Sequence, residues 1–402
     1  MRRHSIQPRA GWRETVVQQG LVFPTTPTAD GGELPYWHES AWYELSMAQV
    51  ERLEAATEEL YGMCLEAAAV MLRRYSDADL GLPAGSLALA GQSLQRGDPS
   101  VYARFDLAYD GFGPAKMLEI NGDTPTGLVE TAVAQWAWLE DVLPGNDQWN
   151  SVHDRLVAWW REHADRFPAG IHFLHSAADE SGEEEMTTTY LRDTAAMAGL
   201  TTYGHAIDQL GWDARSRRFV DDYDLPVRAA FKLYPWEDML AEPFGAHLVA
   251  PDEAEPVRWV EPAWKLLLST KAILPVLWEL FPGHPNLLPA YLGSPRELDQ
   301  WVAKPLWGRE GDNVHVHARG TELVQGGSYA GQPLVYQEYT PLPVLDGNHV
   351  VLGSWVIGGK SAGCLVRESD GPVTDYHSRV VPHAITDARM PGVLQVQAWL
   401  RE

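Results

Sequence analysis

A mixed fold, part α/β and part α+β, follows from three observations: a helical apolar period early in the chain, a switch to period two near residue 101, and a last third of short strands broken by glycine. The 402 residues are 45% hydrophobic, 21% charged and 10% aromatic, with 35 Gly and 28 Pro. That composition excludes disorder, collagen and coiled coil. With no internal repeat and no low-complexity linker, one integrated unit of enzyme size over residues 1–402 is expected.

In chain order, Pro24 to Gly32 is rich in Pro and Gly and reads as a loop. Ser46-Met47-Ala48-Gln49 is a capping box, and Leu53, Leu60, Cys64, Ala67 and Met71 follow at helical spacing, so a long amphipathic helix is expected to about Arg74. From Val101 to Asn121 alternation takes over, interrupted by the breakers Asp110 to Pro114, and predicts a β-hairpin. Helices are expected at about 127–142 and 150–165, a strand at Ile171 to His175, a helix near 184–198, and strands around 201, 218 and 228. Pro251 to Pro262 is a second candidate loop. Trp264 to Phe281 reads as helical, with Ser269 or Thr270 capping the segment that enters Lys271, so that Pro275 falls in the tolerated first turn.

Charge narrows the partners. Lys plus Arg number 31 against 55 Asp plus Glu, a net −24, and such a field repels nucleic acid and anionic membrane surfaces. A phosphate ligand then needs a locally basic pocket. No run of about 18 apolar residues occurs, the basic start Met1 to Pro8 leads into no apolar core, and the two cysteines, Cys64 and Cys364, suit small buried positions. A cytoplasmic protein is expected. The 17 tryptophans, scattered singly from Trp12 to Trp399, are expected in the core and pocket walls.

Two constellations could carry chemistry. On the hairpin, alternation sends Tyr102, Arg104 and Asp106 to one face and Phe105 and Leu107 to the other, while Met117, Glu119 and Asn121 alternate with Leu118 and Ile120. Arg104, Asp106, Glu119 and Asn121 then share a face. Two carboxylates and an amide carbonyl are hard oxygen donors suited to Mg²⁺, and an adjacent arginine suits a transferring phosphoryl group. A solvated sheet face with a cross-strand ion pair is the competing reading. The second is a strand from Trp301 to Lys304-Pro305, followed by a tight loop, Leu306 to Asn313, bracketed by Gly308 and Gly311. Its backbone N–H groups could face phosphates while Lys304 supplies charge; a plain hairpin turn would look similar. Lys271 is a second isolated lysine. An opposite charge at 4 Å is worth ~4 kcal/mol at an effective dielectric of about 20, enough to matter in so acidic a chain.

Other motifs fail. Gly353 to Ser361 misses the P-loop spacing by one residue and lies in a strand context. His315/His317 and His172/His175 have ligand-like spacings without a visible further ligand. The acidic run Asp179 to Glu185 reads either as a solvated loop entering a helix N-terminus or as an anionic sink for an amine.

Read together, several runs resemble the synthetase domain of glutathionylspermidine synthase and its stand-alone relatives, a family of ATP-grasp type. They are Lys116 to Thr126 with Gln135-Trp136, Phe231 to Glu237, Glu261 to Lys265, Thr270 to Pro275, Leu277 to Leu288, Lys304 through Gly311, Tyr336 to Glu338, Gly353 to Trp355, Arg367-Glu368 and Val381 to His383. They span about residues 20 to 385 in the family's order. The resemblance implies ATP- and Mg²⁺-dependent joining of a carboxylic acid to an amine through an acyl phosphate, with ADP released. Asp106, Glu119 and Asn121 match magnesium ligands, and Arg104 the arginine that steadies phosphoryl transfer. Lys271 and Lys304 match nucleotide-binding lysines, Glu310 and Gly311 the phosphate-covering loop, and Gln337, Glu338, Tyr339 and Thr340 the strand beside adenine. Arg367 matches a further arginine of the ATP site. Thr124 matches a contact to the acid, and Glu184 falls near the acid and polyamine contacts. The implied partners are a small acid and a small amine, such as a glutathione-like peptide and a polyamine. Because the matches begin within about 25 residues of Met1, no N-terminal amidase domain and no hydrolytic half-reaction are expected. Stand-alone relatives need not keep glutathione and spermidine. Competing readings are an inactive nucleotide-binding scaffold of the same fold and, from tryptophan content alone, a carbohydrate-binding module.

Overall fold

Ser46 starts the longest helix, Met47–Arg74, with the expected reciprocal cap: its hydroxyl accepts from the Gln49 N–H at 3.2 Å, and the Gln49 side chain accepts from the Ser46 N–H at 2.9 Å. A cap of this kind stabilises by ~1 kcal/mol. The buried stripe of Leu53, Leu60, Cys64, Ala67 and Met71 packs the helix against strands Asn348–Ile357 and Lys360–Ser369. Thr57, on the same stripe, pairs with Ser354 at 2.7 Å, so its hydroxyl is not stranded in the core. The structure, a computed structural model, describes residues 1–28, 30–249 and 256–387. Trp399 and positions 251–255 of the expected loop lie outside the described residues.

Three larger sheets carry the molecule. The first is antiparallel, in the order Arg379–Val381, Lys360–Ser369, Asn348–Ile357, Tyr102–Ala108, Lys116–Asn121, with Val344–Leu345 added beside Asn348–Ile357. Every residue of Tyr102–Ala108 is buried, which removes the solvated-face reading of the hairpin. The second is also antiparallel: Ala290–Leu292, Leu334–Glu338, Trp301–Pro305, His315–Ala318, Thr321–Val324. The third is parallel: Arg258–Val260, Ala229–Lys232, Ile171–His175, Thr202–Ala206. Parallel neighbours need crossovers, and helix Glu183–Met197 supplies the one between Ile171–His175 and Thr202–Ala206. That helix, with Val152–Glu162, buries Trp160, Leu191, Phe173 and Phe231 in one cluster. Early and late chain meet where Arg2–Ser5, Ala41–Leu45 and His383–Ile385 form a small sheet. The mixed fold class thus holds, and no helix of the described residues is long and apolar enough to cross a membrane.

Two expectations need correction. Trp264 to Phe281 is not one helix: a 3₁₀ turn, Ala263–Lys265, runs into Leu266–Ser269, Thr270 is extended (ψ 135°), and a new helix, Ile273–Leu280, follows with Ala272 at its N-cap. Pro275 does fall in the first turn, and the Thr270 hydroxyl accepts from the Ala272 N–H at 3.3 Å. The break frees the Lys271 N–H to donate to the Leu306 carbonyl at 2.8 Å, which a continuous helix would have prevented. Pro24 to Gly32 is not all loop either, because Thr25–Pro27 pairs with Glu33–Pro35.

Candidate active site

A cleft of about 1030 Å³ opens where the three sheets meet, large enough for a nucleotide and a second small molecule. One wall is the hairpin. Its register pairs Arg104 with Asn121 and Asp106 with Glu119, placing all four on one face as expected. A bulge then inserts Leu118, so that Leu107 opposes Met117. Met117 is therefore carried to the face of Phe105 and Leu107 and is 1% exposed, whereas plain alternation had put it beside Glu119. The neighbouring strand sets Gly353 opposite Asp106, where a Cβ would lie 2.9 Å from Arg104 Cδ. This glycine makes room for Arg104; it belongs to no phosphate loop.

The charges on this wall are matched. Arg104 Nε donates to Asp106 Oδ1 at 3.0 Å, Arg367 Nη2 to Asp106 Oδ2 at 2.5 Å, and Asn121 Nδ2 to the same oxygen at 3.3 Å. Burial alone would raise the Asp106 carboxyl; Arg104 and Arg367 overcome it and hold it down to about 2. Glu119 is likewise lowered, burial being outweighed by Lys271, 3.2 Å away, and by Lys304. Lys271 also donates to the Gly308 carbonyl at 2.6 Å. Lys304 donates at 3.0 Å to both the Leu118 carbonyl and Gln337 Oε1, and burial pushes it down to about 8 against the pull of Glu119. Both carboxylates are thus ionised near neutral pH, as oxygen ligands of a cation must be. Arg367 lines the cleft, and its Nε is buried without a hydrogen-bond partner, which suits an incoming anion. The donor set therefore fits a magnesium nucleotide.

The loop after Lys304 lines the same cleft. Glu310 and Gly311 both have positive φ, 51° and 76°, and a Cβ on Gly311 would meet Val373 Cγ1 at 2.8 Å. Only glycine fits there without a shift. Arg309, from the same loop, pairs with Glu237 on helix Trp236–Ala241. Gln337, Tyr339 and Thr340 line the cleft, but Glu338 does not: strand alternation turns its side chain to the opposite, exposed face. The N–H groups of Glu338 and Tyr339 are already given to the carbonyls of Pro289 and Gln300, at 2.7 and 3.1 Å.

A second wall is acidic. Glu183 and Glu184 open helix Glu183–Met197, and both line the cleft with Asp179 and Thr124. Removal from water, then the charge of Glu130, push the Glu183 carboxyl up to about 8. Burial pushes Glu184 up to about 7, although it accepts from the Ser176 N–H at 2.7 Å. Thr124 follows Asp123, whose carboxylate is locked to Lys232 at 2.6 Å and to the Trp236 N–H at 3.0 Å.

The cleft thus gathers Arg104, Asp106, Glu119, Asn121, Thr124, Glu184, Lys271, Lys304, Glu310, Gly311, Gln337, Tyr339, Thr340 and Arg367, and leaves Glu338 outside. Glu183, Arg309 and the Lys232–Asp123 pair were not singled out from sequence. Lys232 lies in the run beginning at Phe231, and its isolation among apolar residues was the available signal of a buried pair. His315 and His317 bind no cluster of ligands; both face Glu322, at 2.7 and 2.8 Å.

The family model described as glutathionylspermidine synthase preATP-grasp matches residues 3–386. A Haemophilus influenzae protein described as "Putative acid--amine ligase" is 37% identical over 388 residues, covering 92% of this chain and 97% of its own length. The bifunctional glutathionylspermidine synthetase/amidase of Escherichia coli is 27% identical over 371 residues, 85% of this chain but 58% of that protein. Trypanothione synthetase of Crithidia fasciculata is 29% identical over 310 residues, 69% of this chain and 46% of its own. The chain therefore spans about half the length of these last two relatives. Among solved structures, a glutathione synthetase-like effector from Globodera pallida superposes with TM-score 0.54 at 12% identity, covering 94% of this chain and 96% of its own, a likeness of fold.

Proposed function

The chain belongs to the glutathionylspermidine synthase family, and from that premise we propose that it joins a carboxylic acid to an amine with ATP, through an acyl phosphate, releasing ADP and phosphate. The observation that carries this reading is the hairpin face, where Asp106, Glu119 and Asn121 converge among four cations, Arg104, Arg367, Lys271 and Lys304. A carboxylate is a poor acylating agent because its leaving group would be oxide; phosphorylation provides a better one. Two anions must first approach each other, and the buried guanidinium and ammonium groups offset that repulsion in a site where charge is weakly screened.

Asp106, Glu119 and Asn121 would hold Mg²⁺, which when bound neutralises charge on the polyphosphate. Lys271 and Lys304 would bind the nucleotide phosphates, with Glu310 and Gly311 in the loop that shields them from water. Arg104, stacked over Trp355 at 5.7 Å and tied to Asp106, is held in one orientation and would steady the transferring group, assisted by Arg367. Gln337, Tyr339 and Thr340 would flank the base. Thr124 would touch the acid, and Glu184 with Glu183 would receive the amine, a polyamine-like cation being the class that an acidic wall suits. A glutathione-like peptide is the matching acid. The buried cysteines Cys64 and Cys364 fit a reducing, cytoplasmic setting, and one catalytic unit over residues 1–402, with the family-like runs at about 20–385, would carry these roles.

The test is a screen of acid and amine pairs for ADP release, with product mass measured. ADP formed only when both are present, with a product lighter than their sum by one water, supports the ligase. ATP binding with no ADP release from any pair would return the chain to an inactive nucleotide-binding scaffold, and ADP release that ignores both substrates, or no ATP binding, would overturn the ligase reading.

A further inference from the structure

The parallel sheet carries a second cluster of ligating side chains, and none of its members lines the cleft. Strands Ile171–His175 and Thr202–Ala206 run side by side with His172 opposite Tyr203 and Leu174 opposite His205. Both histidines fall on the same face of the sheet, their rings stacked with centroids 5.4 Å apart. Asp221 follows strand Arg218–Val220 and comes to the same place. One ligand atom from each of His172, His205 and Asp221 lies within 4.8 Å of the others.

Three details separate this cluster from an incidental grouping. First, His172 is 6% exposed, and its ring nitrogens find only poor partners, the Ala229 backbone and Asp221 Oδ2, the latter 3.5 Å from Nε2 and too long for a good bond. A buried imidazole whose nitrogens are this weakly satisfied is a costly group that a bound ion would relieve. Second, Asp221 Oδ1 accepts the N–H groups of Tyr223 and Leu225, at 3.0 and 2.8 Å, which fixes the carboxylate and leaves Oδ2 turned to His172. Third, His205 Nδ1 lies 3.2 Å from Asp222 Oδ1. A proton held between them leaves Nε2 as the lone-pair donor, the outer arrangement that metal-bound histidines use.

The geometry points to a transition-metal site of the zinc type, with His172, His205 and Asp221 as its protein ligands and a fourth position left for water. Two imidazoles and one carboxylate are a donor set for Zn²⁺ and its neighbours, not for Mg²⁺, so the site is chemically distinct from the hairpin carboxylates. An ion there would tie the edge strand Thr202–Ala206 and the segment after Val220 to Ile171–His175. The last of these strands leads directly into Ser176, whose N–H holds Glu184. The site would brace the acidic wall from behind.

Chelator-treated full-length protein should take up one equivalent of Zn²⁺ in calorimetry, with a rise in thermal midpoint, and Co²⁺ in its place should give visible ligand-field bands. His205→Ala, at the rim of the cluster with a side chain 10% exposed, should abolish uptake while far-ultraviolet circular dichroism is unchanged. Asp222→Asn should weaken it about 10- to 100-fold. Asp106→Asn should bind as the parent does. No saturable uptake by the parent, equal uptake by His205→Ala, or loss of uptake in Asp106→Asn would each overturn the assignment.

Discussion

On the hairpin wall Asp106 sits against Arg104 and Arg367, and Glu119 against Lys271, so that each carboxylate is held ionised in spite of burial. Across the cleft, Glu183 and Glu184 are half-buried near other acids, Glu130 and Asp179 among them, and both are pushed toward the neutral form. One residue type thus receives opposite electrostatic treatment within a single cavity. The first wall brings its own counter-charges and is anionic and cationic at once, as the proposed metal–polyphosphate site would require. The second is compensated only weakly, Glu184 by Arg309, and an entering cation would stabilise its charged form.

If that contrast is right, its largest consequence is on the hairpin. Asp106→Ala or Glu119→Ala should lower Mg²⁺-dependent ADP release about 10³-fold with the fold intact by circular dichroism; a rate within a factor of a few of the parent would remove the metal assignment. Next is Lys304→Ala, which deletes a charged donor and should weaken ATP binding about 10- to 100-fold in calorimetry. Equal affinity would assign Lys304 only to holding Gln337. On the acidic wall, Glu184→Lys should raise the amine KM about 10-fold and leave ATP affinity unchanged. For the parent, the amine KM should fall as pH rises through about 7, because Glu184 becomes anionic there; Glu184→Gln should flatten that profile.

The smallest effect concerns stability. Glu183 binds its proton more tightly in the folded chain, about 8 against an ordinary 4.5, so folding stability declines as pH rises between these values. Glu183→Gln should therefore raise the thermal midpoint by a few degrees at pH 9 and leave it unchanged at pH 4. A midpoint unaltered at both would mean that Glu183 is not crowded.

Much of this was legible in the residues. The long helix was readable because a capping box and a 3.6-residue apolar stripe agree, and the hairpin because alternation broken by Asp110 to Pro114 has few other meanings. The shared face of Arg104, Asp106, Glu119 and Asn121 survived the bulge only because the extra residue, Leu118, enters beyond Glu119; Met117, on the far side, was misplaced for the same reason. The split of Trp264 to Phe281 was hidden because Thr270 is extended for a tertiary purpose, the bond from Lys271 to Leu306, which no local propensity encodes. Glu338 was carried with its neighbours as a block, although period two allows only alternate residues of a strand to reach one face. His172 and His205 are 33 positions apart and meet only through parallel pairing, so no spacing rule could join them.

A crystal of the protein with Mg²⁺ and a nonhydrolysable ATP analogue tests the central claim most directly. The account predicts triphosphate between the Asp106–Glu119 face and the ammonium groups of Lys271 and Lys304, with the Gly308 to Gly311 loop closed over it. Triphosphate bound away from that hairpin, or none bound at saturating analogue, would contradict it.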